Sequence, residues 1–236
     1  MLSDKPTVFE EGQILLFNKP LYWTSFDLVN KVRIIIRSTL GIKKIKVGHA
    51  GTLDPLASGL MIICTGKSTK KIDEFRDMDK EYVATIHLGA TTSSFDLETE
   101  TDNHYPSEHI TEDLVKEILK GFAGEQMQMP PIYSAKLIAG KRAYEYARQG
   151  VEKKLEPVSV YFRELELLSF NLPEIKLRVL CSKGTYIRSF ARDIGIALKS
   201  GGYLSALERT AIGPFSVSKA YEIEKFQEYV TQMKQL

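Results

Sequence analysis

Apolar positions along the 236 residues recur at two periods, two and about 3.6, and the switches between them divide the chain into strands and helices. An apolar run from Gln13 to Asn18 reads as the first strand, and Lys19-Pro20 ends it. Ser25 is placed to cap a helix on which Phe26, Val29, Val32, Ile36 and Leu40 recur, with Gly41 as its stop. A strand is predicted over Leu60 to Cys64, and a short helix opening at Ser68 with Ile72, Phe75 and Arg76. Tyr82, Ala84, Ile86 and Leu88 alternate with Val83, Thr85 and His87, the pattern of a half-buried strand. Polar turns are expected through the acidic stretch from Asp96, then a helix from Thr111 to Lys120 closed by Gly121. Beyond a Tyr-, Lys- and Arg-rich segment from about 130 to 157, helical over Ala143 to Gln149, come strands at Val158 to Phe170 and Ile175 to Cys181. A helix from Tyr186 to Leu198, a strand from Leu204 to Thr210 and an amphipathic C-terminal helix at about 218–236 complete the chain. Together these elements predict an α/β (α+β) fold: a mixed, mostly antiparallel sheet flanked by helices. No internal repeat or linker interrupts 1–236, so a single domain is expected.

Charge adds to this picture through its distribution. The net charge of +2 is small, but eight acids stand between Asp96 and Glu117 against Lys116 alone. Bases cluster elsewhere: Lys43, Lys44 and Lys46, then Lys67, Lys70 and Lys71, then Lys141, Arg142, Arg148, Lys153 and Lys154. Such segregation fits a basic face presented to phosphate, and fits separate solvated faces equally well. Two cysteines, Cys64 and Cys181, lie in apolar contexts outside any CxxC, which predicts buried thiols and neither a zinc site nor a disulfide. No apolar run nears the about 18 residues of a membrane helix, and no signal-peptide pattern opens the chain, so a cytoplasmic location is expected.

The segment GHAGTLDPLASGL, Gly48 to Leu60, sets three glycines, one proline and one carboxylate between two apolar strands. Glycine lets backbone approach a ligand closely and Pro55 stiffens the turn after Asp54. An acid on a rigid loop suits a nucleophile or base, although composition alone favours a simple Asx turn.

That string resembles the catalytic loop of the TruB family of tRNA pseudouridine synthases, and four further motifs occur in the same order. ILLFNKPLYWTSFDLVNKVR from Ile14 is similar to the family's opening motif, EYVATIHLGATTSSFD to its tyrosine strand, and PPIYSAKLIAGKRAYEYARQG to its RNA-gripping insertion. CSKGTYIRSFARDIG resembles its arginine motif and LSALERTAIGPF its last core strand. The resemblance implies a pseudouridine synthase fold and isomerisation of uridine 55 in the T arm of tRNA, with no metal and no organic cofactor. It assigns catalysis to Asp54 and substrate contacts to His49, Tyr82 and Arg188, the last pairing with the aspartate early in a helix capped by Thr185. Lys19, Leu207 and Lys70 match positions around the same pocket. Arg192, one turn beyond Arg188, reads as a surface residue or phosphate contact. In the insertion, Tyr133, Lys136, Lys141, Arg142 and Arg148, with Tyr144 and Tyr146, mix rings and cations as stacking plus phosphate contact requires. The implied partner is tRNA, with no membrane and no protein partner, and the chain is expected to act as a monomer.

Two departures stand out. Many members carry further aspartates after the tyrosine strand, where this chain keeps Asp96 but has Ser93 beside it. The residues after Thr210 also form too short a tail for the PUA domain many members carry, which leaves the RNA grip to the catalytic domain. Three other readings are weaker. A tRNA-binding or folding protein would not require Asp54, Tyr82 and Arg188 together, a guide-RNA-dependent synthase would need the PUA domain, and a hydrolase would need a second acid or a metal near Asp54.

Overall fold

The computed structural model describes residues 7–133, 137–138, 141–142 and 155–234, with the two short pairs described through their backbone alone. The predicted helix over Ala143 to Gln149 lies outside the described residues. The chain divides into two compact units, Met1–Glu81 with Glu208–Leu236, and Tyr82–Leu207. Strands β4 (Lys80–Leu88) and β12 (Gly202–Ile212) contribute residues to both.

In the first unit the strand order is β1 (Ile14–Lys19), β3 (Ala57–Thr65), β12, with β2 (Val47–His49) paired to β3 and β13 (Phe215–Ser216) to β12. β1 runs antiparallel to β3, from Ile14 opposite Cys64 to Lys19 opposite Gly59. β3 is buried almost throughout, as a strand covered on both faces must be. It begins at Ala57, earlier than the apolar pattern indicates, because Gly59 belongs to it. That glycine has φ +106°, and a Cβ there would lie 2.4 Å from the Arg209 carbonyl oxygen, so only glycine lets the strands approach this closely.

The short helix α1 (Val8–Glu11) precedes β1, and α2 (Ser25–Leu40) follows it. The cap of α2 is Thr24, one residue before the expected Ser25. Its hydroxyl accepts from the Asp27 amide while the Asp27 carboxylate accepts from the Thr24 amide, a complete capping box. Gly41 ends the helix in the left-handed conformation, as expected. Phe26 is not in the core: it is 65% exposed, while Leu28, Val32 and Ile36 are fully buried. At 100° per residue Phe26 falls about 120° from the centre of that stripe, beyond its edge. A 3-10 turn (Gly66–Lys71) and α3 (Ile72–Asp77) form the predicted short helical segment. The C-terminal helix α6 (Ile223–Met233) buries Ile223, Phe226, Val230 and Met233, and Phe226 meets Phe17 edge-on at 5.0 Å.

In the second unit the order is β12, β4, β11 (Glu174–Cys181), β10 (Val158–Asn171), β7 (Gly124–Gln128). β4 alternates as its sequence predicts, with Tyr82, Ala84, Ile86 and Leu88 inward. β10 and β11 form an antiparallel hairpin with two register shifts. Helix α4 (Glu112–Phe122) is capped by the Thr111 hydroxyl and runs through Gly121, the expected stop. Its continuation seats Phe122 against Phe190 of α5 (Ile187–Ala197), which packs on Phe162 at 4.6 Å. Thr185 does not cap α5: its hydroxyl donates to the Ser182 carbonyl, and the N-cap position is Tyr186. Within the acidic stretch the expected turns hold a small hairpin, β5 (Ala90–Thr92) with β6 (Thr101–His104).

Both cysteines are buried and free, and burial pushes the Cys64 thiol up to about 11, which keeps it protonated. Among the described residues no helix is long and apolar enough to cross a membrane.

Candidate active site

Asp54 sits half-buried on the loop between β2 and β3, and seven hydrogen bonds immobilise that loop. The Ala50 amide donates to the Ile62 carbonyl (3.0 Å). The Arg209 guanidinium reaches the Gly51 carbonyl (3.2 Å) and the Leu60 carbonyl (2.7 Å), on either side of Asp54. Ser25, freed from capping, uses its hydroxyl twice on Leu53, accepting from the amide (2.9 Å) and donating to the carbonyl (3.0 Å). The Ala57 amide closes a turn onto the Asp54 carbonyl (3.1 Å), and the Tyr22 amide donates to the Pro55 carbonyl (2.7 Å). A carboxylate on such a loop is held in one place without relying on its own side chain, the property a reacting group requires.

Lys19 is fully buried at the end of β1. Its ammonium donates to the Pro20 carbonyl (2.8 Å) and the Trp23 carbonyl (2.7 Å). Burial pushes it down to about 8, with the Asp54 carboxylate opposing that shift and the Arg209 guanidinium adding to it. His49, on β2, is also held below its ordinary value, first by burial. Among the described residues its buried Nδ1 atom finds no well-formed hydrogen bond, and the Gly51 backbone offers only a weaker polar contact. The ring is therefore neutral near pH 7 and suited to contact with uncharged groups. Lys70 is exposed on the 3-10 turn, beside a cleft of about 390 Å³ that Lys44, Lys46 and Lys67 also line. Two lysine clusters that are separate in sequence thus meet on one surface.

In the second unit Tyr82 is 9% exposed on the inner face of β4, and Leu207 is half-buried on β12. Arg188 is buried in the first turn of α5. Its guanidinium lies 3.5 Å from the Asp96 carboxylate and donates to the Tyr133 carbonyl (2.8 Å) and the Ser94 carbonyl (3.4 Å). Asp96, itself 4% exposed, thereby orients the arginine. Ser93 donates to Asp102, which also accepts from Thr91, so the acid that this turn engages comes from β6. Arg192 is more tightly held than a loose surface cation: it pairs with Asp193 at 2.6 Å and covers the Phe95 ring at 4.8 Å.

Tyr133 is half-buried. The backbone of Lys141 and Arg142 forms β9, paired with β8 (Leu137–Ile138). Lys136, Tyr144, Tyr146 and Arg148 lie outside the described residues. Among the described residues no group of three or more His, Cys, Asp and Glu could hold a metal ion.

Solved structures share this architecture. The chain is similar to one in an H/ACA ribonucleoprotein bound to a substrate RNA containing 2′-deoxyuridine, with TM-score 0.69 and 26% identity, over 96% of this chain and 56% of that one. It is equally similar to a chain of a Cbf5–Nop10–Gar1 complex, with TM-score 0.69 and 27% identity, over 95% of this chain and 60% of that one. The fold is that of the pseudouridine synthases. Residues 37–187 match the N-terminal domain of the TruB family pseudouridylate synthases. The tRNA pseudouridine synthase B of Phocaeicola vulgatus is 57% identical over 96% of both chains, and that of Parabacteroides distasonis 58% identical over 95% of both. The chain belongs to the TruB family of pseudouridylate synthases.

Proposed function

We propose that this protein converts uridine 55 in the T arm of tRNA to pseudouridine, in the cytoplasm where tRNA is processed, with Asp54 as the reacting carboxylate. The observation that supports this most is the loop itself: a single acid in GHAGTLDP, braced on both sides by Arg209 and Ser25. The names of relatives sharing more than half their residues over nearly the whole chain support the tRNA substrate.

The reaction breaks the C1′–N1 bond, turns the uracil and joins C1′ to C5, after which the C5 proton leaves and N1 takes up a proton. Those atoms are out of reach in a stacked loop, so the uridine must first be extruded. Asp54 then serves as nucleophile, at C6 or at C1′, or as base. His49, neutral and flat, is suited to stacking against the RNA near the extruded base. Tyr82 is suited to stacking on the target uracil and to assisting loss of the C5 proton, and Arg188, oriented by Asp96, to contacting the substrate. Tritium release from 5-tritiated uridine in an unmodified tRNA transcript tests the reading directly. Release from position 55 alone is expected, and its absence would overturn the proposal. Tyr82→Phe keeps the ring and removes the hydroxyl, so binding should persist while the single-turnover rate falls by about a hundredfold, within the usual range for a positioned proton-transfer group.

Lys19 gives the enzyme a characteristic pH response. Unfolded, it would keep its proton to about 10.5, whereas folded it releases the proton at about 8. Between those values the unfolded chain binds more protons, so this group's contribution to stability rises with pH. Activity should move the other way, because deprotonation removes the cation facing Asp54 and weakens the hold on the Pro20–Trp23 turn. The single-turnover rate at saturating RNA is expected to decline as pH rises through about 8. Lys19→Met should show a lower plateau without that limb, and a wild-type limb retained in the variant would assign it to another group.

A further inference from the structure

The residues Pro20 to Trp23 form a turn closed by the Trp23 amide on the Pro20 carbonyl (3.4 Å), and Tyr22 occupies its third position with φ +68°. That position in such turns ordinarily belongs to glycine or asparagine, because a Cβ crowds the backbone at positive φ. Among the described residues the Tyr22 ring finds little packing to offset the misfit, for Tyr22 is 74% exposed. Phe26, in the next turn of chain, is 65% exposed, and Leu21 and Ile34 are exposed as well. An open cleft of about 340 Å³ beside them is lined by Trp23, Asp27, Asn30, Lys31 and Ile34. A bulky ring in a disfavoured conformation, withheld from the core, serves a contact outside the fold.

Resting on the proposed reaction, we infer that Tyr22 is a stacking platform for an unpaired base of the RNA loop that bears the target uridine. Three features identify RNA as the occupant. The turn is continuous with the catalytic loop: the Tyr22 amide donates to the carbonyl of Pro55, the residue after Asp54, and buried Lys19 ties down the carbonyls on either side of Tyr22. Extruding a uridine leaves its neighbours unstacked, and a ring beside the catalytic loop restores part of that stacking. The helix that follows lines the cleft with Lys31 and exposes Arg37, while its acid Asp27 is engaged in the Thr24 cap, so the surroundings suit a phosphate backbone.

The test compares wild type with Tyr22→Gly, Tyr22→Asn and Tyr22→Phe, using a T-arm stem–loop transcript. Glycine and asparagine both accept positive φ without the ring, so their thermal midpoints should equal or exceed that of wild type. Their affinity for the transcript should fall about tenfold or more, the usual loss of one base–aromatic stack. Tyr22→Phe should bind as wild type does. Unchanged binding in the glycine and asparagine variants would overturn the inference. A lowered midpoint in both would do so too, by making the ring part of the fold. If wild type releases tritium while all four proteins bind alike, only the stacking platform falls. Wild type that neither binds the transcript nor releases tritium would remove the proposed function, and the platform with it.

Discussion

Asp54→Asn should bind tRNA nearly as wild type does and lose at least about a thousandfold in single-turnover rate, the scale expected when the reacting group is removed. Asparagine preserves the size of the side chain and removes its charge, so it separates chemistry from shape. The loop should survive the change, because its braces come from Ser25, Arg209 and the amides of Ala50, Ala57 and Tyr22. Thermal stability measured alongside the rate should therefore shift little. Asp54→Ala should be equally inactive, since neither amide nor methyl can act as nucleophile or base. The loss should also reach Lys19, whose charged form the Asp54 carboxylate supports. A fully active Asp54→Asn would transfer the chemistry to another group, with Tyr82 the next to examine. A variant that loses binding as severely as rate would instead make Asp54 a binding residue.

How legible the molecule is in its sequence varies with the kind of interaction. Strands such as β1 and β4 follow directly from apolar runs and alternation, because burial of one face is what the pattern encodes. The Gly48 to Leu60 loop stands out by composition, and its likeness to a known family identifies Asp54. What the pattern misses are side chains whose role depends on distant backbone. Ser25 looks like a helix cap, but the carbonyl and amide it serves belong to Leu53, 28 residues away. Thr24 then takes the cap because Asp27 is spaced to complete a box with it, a signal present in the sequence. Gly121 looks like a stop, but Phe122 gains more by packing on Phe190 than the helix loses to one glycine. Arg188 is singled out by resemblance, whereas its buried pairing with Asp96, 92 residues earlier, is a tertiary fact no local spacing reveals. Tyr22 is visible as an aromatic in a turn, while its positive φ and exposure are not.

Arg209 is the clearest example, and its removal should have the largest effect on stability. It is 1% exposed, and its described hydrogen-bond partners are the backbone carbonyls of Leu60 and Gly51. Arg209→Met keeps most of the apolar stem and removes both donors, leaving the buried Leu60 carbonyl and the part-buried Gly51 carbonyl short of a partner. At about 1–3 kcal/mol for each such group the fold should lose about 3 kcal/mol. For a chain of this length that corresponds to a thermal midpoint about 6–12 °C lower. Activity measured well below that midpoint should still fall by about a hundredfold, since the lost contacts flank Asp54 and a displacement near 1 Å carries that cost. Arg209→Lys should recover little of either loss, because one ammonium cannot reproduce the guanidinium's spread of donors. A third readout separates this bracing role from simple destabilisation. The Arg209 charge helps hold Lys19 low, so in Arg209→Met the alkaline limb of the rate should move above about 8, a shift that a generic loss of packing would not produce. If Arg209→Met kept the wild-type midpoint, rate and limb, the guanidinium would be dispensable, and Ser25 with the Pro55–Tyr22 contact would have to position Asp54 unaided.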